Sequence, residues 1–188
     1  MARPGHGRAV RRRGAVALAV LPFLLGVKVY HSQAEALAIA FPDATSVEAH
    51  QFVLDEATRR TVSARAASPV REHLVTFYEA RRGASSLGHA VVLKETGKSL
   101  PFRFLVSIRP GGAVDQVLVL DYREPRGYEI ERSSFLRQFR SRTLGDPIRR
   151  GRDIRNITGA TLSVDSLARG VRRALALYEA LIHPPRSP

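Results

Sequence analysis

Cysteine is absent from the 188 residues, which excludes disulfides, thiolate metal sites and a cysteine nucleophile but leaves the compartment open. Lysine is nearly absent: only Lys28, Lys94 and Lys98 occur, so almost all positive charge is arginine. Several catalytic signatures are missing as well. No G-x-S-x-G is present to form the strained elbow of a serine hydrolase. Gly83 to Gly88 does not make a Walker loop, and no G-x-G-x-x-G follows a strand, so nucleotide-binding loops of these kinds are excluded. The histidines, His6, His31, His50, His73, His89 and His183, include no i, i+4 pair, and no metal site is expected from them.

What is present fits a globular chain. Hydrophobic residues make up 44% of a length that suits one domain with a proper core. The net charge of +13 would suggest a polyanion partner were it evenly spread. It is not: Arg3, Arg8, Arg11, Arg12, Arg13 and Lys28 fall in the first thirty residues, where no acid occurs. The body is therefore moderately basic, and compositional bias of the source accounts for its arginine and alanine as well as a partner does. No nucleic-acid-binding motif is recognisable, and none is expected to bind.

The N-terminus reads as an export segment. Residues 1–13 are basic, and Ala15 to Val27 form an unbroken run of apolar, glycine and proline residues closed by Lys28. That run is short for a membrane span of about 20 residues and suits a signal-peptide core. Ser32-Gln33-Ala34 and Ala34-Glu35-Ala36 offer small residues for a signal peptidase. With Val29 and Tyr30 the run nearly reaches spanning length, and an uncut anchor would keep its arginines in the cytoplasm. Both readings stand, and both export the body.

Beyond that segment, Val47, Phe52, Val53, Ala57 and Val62 recur at roughly helical spacing, so an amphipathic helix is expected from Ser46 to about Ala66. Strand signals follow at Leu74 to Tyr78, Leu87 to Leu93, Phe102 to Ile108 and Val114 to Tyr122, the last after the turn Pro110-Gly111-Gly112. Phe102, Phe104, Val106 and Ile108 alternate with Arg103, Leu105 and Ser107, as in a meander with one face on a core. A short helix is expected near Glu131 to Arg140, then a loop from Thr143 to Ile157. The closing helix, from about Ser163 to Ile182, carries Leu167, Val171, Ala174, Leu175, Tyr178, Leu181 and Ile182 on one stripe. The fold class is α+β: an antiparallel meander packed with helices, preceded by a signal or membrane-anchor helix.

Thr158-Gly159-Ala160-Thr161 opens that last helix. A helix start leaves backbone N–H groups unpaired and carries partial positive charge, which attracts an anion. Gly159 and Ala160 let a bulky ligand approach the backbone, and Thr161 adds a hydroxyl. Thr158, Thr161 and Ser163 serve equally well as helix caps, with Gly159 an ordinary loop glycine. The nearby arginines, Arg149, Arg150, Arg152 and Arg155, read either as a solvated loop or as bidentate phosphate partners. Asn156-Ile157-Thr158 fits the common N-x-T pattern.

Several motifs in register then resemble one family. Ile157-Thr158-Gly159-Ala160-Thr161-Leu162-Ser163 resembles the flavin-attachment signature of the FMN-binding domain family. That family includes subunits of sodium-pumping NADH:quinone reductase and of Rnf-type electron-transport complexes. Upstream, Ser86-Leu87-Gly88-His89-Ala90 is similar to its glycine-containing strand, and Ile108 through Asp121 to its strand, turn and strand. Glu124-Pro125-Arg126-Gly127-Tyr128 resembles its E-T-P-G-Y segment, and Phe135-Leu136-Arg137-Gln138-Phe139 its F-L-x-Q-F helix. The resemblance covers roughly Ser86 to Leu181, about half the chain.

This resemblance implies FMN joined through its phosphate to Thr161 by a flavin transferase that uses FAD and magnesium. Thr158, Gly159, Ala160 and Ser163 would line the phosphate, and Glu124 and Tyr128 would shape the flavin pocket. It implies an electron-transfer component rather than a free-standing enzyme, with unidentified donor and acceptor, on the periplasmic or outer side of a membrane. The implied organisation is residues 1–36 as signal peptide or anchor, 37–85 as a helical and strand lead-in, 86–183 as the FMN-binding domain and 184–188 as a loose tail. One position departs from the pattern: Arg155 stands where the transferase motif usually has an aspartate, and the nearest acid is Asp153. The alternative is a flavin-free protein of the same fold that docks an anionic partner or membrane surface.

Overall fold

A computed structural model describes residues 28–183. The apolar run and arginines of the export segment lie outside these residues. In chain order the elements begin with strand β1 (Lys28–Val29), helix α1 (Gln33–Ala40), strand β2 (Ser46–Val53) and helix α2 (Glu56–Ala66). Strands β3 (Leu74–Arg82), β4 (Ser85–Thr96), β5 (Pro101–Ile108) and β6 (Val114–Tyr122) follow, then the one-turn helix α3 (Ser133–Leu136) and the long helix α4 (Thr161–Leu181). The sheet order is β1-β6-β5-β4-β3-β2, antiparallel throughout, with five long strands and two-residue β1 at one edge. This is the α+β meander expected.

The expected helix from Ser46 is in fact a strand followed by a helix. Val47 pairs with Ala80 and Phe52 with Val75, so residues 46–53 extend the sheet before α2 begins. Val47 and Phe52 suit either period, and pairing with β3 decides between them. The helix starts later, where the Asp55 carboxylate accepts from the Thr58 amide at 2.7 Å as N-cap.

The central strands also differ from a one-sided meander, because both faces of the sheet are covered. Phe102, Phe104, Val106 and Ile108 of β5 join Val164, Leu167, Val171 and Tyr178 of α4 in one cluster. Leu105 and Leu120 point the other way and pack with Ala36, Leu37 and Phe41 of the α1 segment. Even Ser107 is fully buried, its hydroxyl accepting from the Gln116 amide at 3.0 Å. The segment 37–85 thus contributes β2 and β3 to the same sheet as the residues after it, and α2 to the core shared with α4. Ser32, a candidate cleavage position, forms a capping box with Glu35 at the start of α1.

Helix α4, about 30 Å long by its 21 residues, crosses the opposite face. It approaches β5 closely at Gly170, where a Cβ would lie 2.3 Å from the Phe104 ring. Arg172 ties the helix to its surroundings by donating to the carbonyls of Arg65, Ala66, Asp146 and Pro147. The short helix predicted near 131–140 is α3 flanked by 3-10 turns at Tyr128–Glu131 and Arg137–Phe139. The loop from Thr143 is pinned by two acids. Asp146 accepts from the Thr143 amide, and Asp153 accepts from the amides of Ile148 and Arg149 at 3.0 and 2.8 Å. Among the described residues, no helix is long and apolar enough to cross a membrane.

Candidate functional site

The start of α4 has no side-chain cap. Ala160 occupies the N-cap with φ −124°, and no side chain hydrogen-bonds to the first-turn amides. Gly159 before it has φ +83° and open space where a Cβ would stand, so the turn leaves the helix end accessible. The bland reading of Thr158 and Thr161 as caps therefore does not hold at this terminus.

A cavity of about 390 Å³ opens on these residues. Gly159, Ala160, Thr161 and Ser163 line it from the helix side, and Glu124 from the segment after β6. Five of the seven expected site residues are thus brought together. Thr158 is exposed on the preceding turn, and Tyr128 is 47% exposed beneath the Arg132 guanidinium; neither lines this cavity.

The structure adds residues that the sequence reading missed. Lys98 and Arg126 bring positive charge to the cavity from two different segments, and Tyr122 of β6 also lines it. The Tyr122 hydroxyl donates to the Arg126 carbonyl at 3.0 Å and lies 2.8 Å from Ser163 Oγ. Its single proton is committed to Arg126, so Ser163 donates to Tyr122. Burial, with smaller contributions from the charges of Glu124 and Glu129, pushes the Tyr122 phenol above its ordinary range, opposed by the Ser163 bond. The phenol stays neutral and acts as a fixed relay between helix and loop.

Glu124 holds the β4–β5 hairpin. One carboxylate oxygen accepts from the amides of Ser99 and Leu100 at 2.5 and 2.8 Å, which fixes the turn carrying Lys98. Gly127 closes the other side: it has φ +82°, and a Cβ there would lie 2.4 Å from Ala160 Cβ. Only glycine allows this approach of loop to helix start. No signal in the sequence marked Lys98, because the hairpin that delivers it is distant in the chain from Thr161.

The arginine run divides. Arg150 makes a bidentate pair with Asp165 at 2.8 and 3.1 Å, so it is not directed at a ligand. Asp153 is occupied by backbone amides and Arg142. Arg155 instead lines a second, neighbouring cleft with Arg132 and Arg137. Asn156 joins the two regions, its Nδ2 donating to Thr161 Oγ1 at 3.4 Å.

Unpaired amides, a glycine turn, a hydroxyl and two cations define an oxyanion-holding site on an α+β scaffold, and this donor set fits the phosphate of a nucleotide. Residues 97–176 match the family model of the FMN-binding domain, which indicates FMN as the cofactor. The match begins at Gly97, after β4, and so covers less than the motif resemblance from Ser86. No curated protein matches the chain. A solved structure similar to it is the crystal structure of Shewanella oneidensis NqrC, with 15% identity, a TM-score of 0.49, and coverage of 73% of this chain and 79% of that one.

Proposed function

We propose that this protein is an electron-carrying flavoprotein whose FMN is joined through its phosphate to Thr161. The observation that carries this reading is the placement of Thr161 as the first residue of an uncapped helix, inside the segment that matches the FMN-binding domain. A flavin transferase is the maturation partner: Thr161 Oγ1 loses its proton and bonds to the phosphorus of the FMN half of FAD, and AMP leaves. The resulting anionic phosphodiester sits against the first-turn amides, with Lys98 and Arg126 nearby. Bound FMN supplies the redox chemistry, and the protein orients it and tunes its surroundings.

The carrier works at the outer face of a membrane, exchanging electrons with partners there. For the N-terminal segment we favour an uncleaved anchor. Cutting after Ala34 or Ala36 would remove β1, which pairs with β6 through Lys28 and Val29, and would break the Ser32–Glu35 capping box. Purification with a flavin transferase and an absorption spectrum test the proposal. Visible flavin bands that bleach on dithionite addition are expected. A colourless protein would leave the flavin-free docking reading in its place.

A further inference from the structure

The cleft beside Thr161 is larger than the cavity at Thr161, about 730 Å³. Phe135 and Ile157 give it an apolar wall, and Arg132, Arg137 and Arg155 give it charge, against the single carboxylate of Glu129. Several arginines elsewhere are engaged: Arg103 with Asp121, Arg142 with Asp146 and Asp153, Arg150 with Asp165, and Arg173 with Glu72 and Glu95. The guanidinium groups of Arg137 and Arg155 have no ion pair or hydrogen bond among the described residues, and that of Arg132 lies 5.9 Å above the Tyr128 ring.

The backbone positions of Arg137 and Arg155 are fixed although their guanidinium groups are free among the described residues. Arg155 follows the buried Ile154, and its amide donates to Gln138 Oε1 at 2.7 Å. Arg137 sits in the turn between buried Leu136 and Phe139. Guanidinium forks lining one cleft suit a doubly charged phosphomonoester, since each can pair with two oxygens at once. The cleft meets Thr161 through Asn156, whose side-chain amide holds the Thr161 hydroxyl.

We propose that this cleft binds the terminal phosphate of free FMN, so that the protein holds the cofactor independently of any bond to Thr161. The proposal rests on the flavin reading above. It assigns to Arg132, Arg137 and Arg155 the recognition of a phosphate dianion, and to the Thr161 cavity with Lys98 and Arg126 the phosphodiester that a transferase forms from FAD. Flavins lacking the phosphate lose this contribution, while contacts to the ring system are unchanged.

The test is flavin titration of the full chain made without a flavin transferase, in wild type and Thr161→Ala backgrounds, followed by quenching of flavin fluorescence. FMN is expected to bind about 10-fold or more tighter than riboflavin in both backgrounds. Arg137→Gln and Arg155→Gln, both exposed positions, should each remove most of that preference without changing riboflavin affinity, and millimolar inorganic phosphate should compete with FMN alone. Equal affinity for FMN and riboflavin would overturn the phosphate cleft and leave the flavin reading standing. A preference lost in Lys98→Gln and kept in both arginine variants would also overturn it. Binding of neither flavin would overturn the phosphate cleft, while the flavin reading is judged by the absorption spectrum of protein made with a flavin transferase.

Discussion

At the residue scale, the site depends on a few side chains that hold segments rather than touch a ligand. Tyr122 joins the Arg126 carbonyl to the buried Ser163 hydroxyl. Tyr122→Phe leaves both without this partner, and a loss of about 1–3 kcal/mol in urea unfolding is expected. Gly127→Ala forces an unfavourable φ and a clash with Ala160 Cβ, for a loss of about 1–3 kcal/mol together with weaker flavin retention. Thermal melts and flavin content of the purified variant check both effects. Arg155 is the residue at which the chain departs from its family resemblance, and the structure gives it a place in the second cleft rather than in the loop's internal bonding. Asp153 does not substitute for the missing acid, because its carboxylate closes the loop on Ile148 and Arg149.

At the element scale, legibility followed how far apart the deciding residues are. Helix α4 and its glycine-threonine start were readable because both the apolar stripe and the terminus signal are local. Strands β5 and β6 were readable from β-branched and aromatic alternation around a glycine turn. Strand β2 was not, because Val47, Phe52 and Val53 run into Ala57 and Val62 with a spacing that a helix also satisfies. The second buried face of β5 was hidden because Leu105 and Ser107 alternate like solvent-facing positions, and only α1 folding over them buries both. Lys98 and Tyr122 reach the cavity by sheet pairing and hairpin geometry, which no local pattern records. The tight seat of α4 on β5 gives a direct test. Gly170→Val drives a side chain into the buried Phe104 ring, and a loss of about 1–3 kcal/mol by urea unfolding is expected. A chain beginning at residue 37 lacks β1, the Ser32–Glu35 capping box and the buried Ala36, and should melt below one beginning at residue 28.

At the scale of the whole molecule, charge and pH set its stability. His89 packs edge-on to Tyr178, with Nδ1 buried and without a hydrogen-bond partner. Burial first, and then the charges of His50 and Arg81, lower its pKa below 6.5, against the opposing charge of Glu79. The folded state therefore binds this proton less readily than the unfolded chain. Stability from this group is present above pH 6.5 and is lost as pH falls from 6.5 through the lower folded value. Carboxylates with lowered pKa, the exposed Asp55 and Glu56 and the half-buried Asp146, add their own losses at more acidic pH. Urea midpoints across the pH range should thus begin to fall just below pH 6.5, and His89→Phe should remove that first phase alone.

FMN carried on Thr161 is the proposal on which the rest depends. Its most direct test is ultraviolet in-gel fluorescence of the denatured protein, produced with a flavin transferase, beside a Thr161→Ala variant treated identically. Denaturation strips flavin that is held without a bond. A fluorescent wild-type band beside a dark variant band is the predicted result. A dark wild-type band, or fluorescence that survives Thr161→Ala, would contradict it.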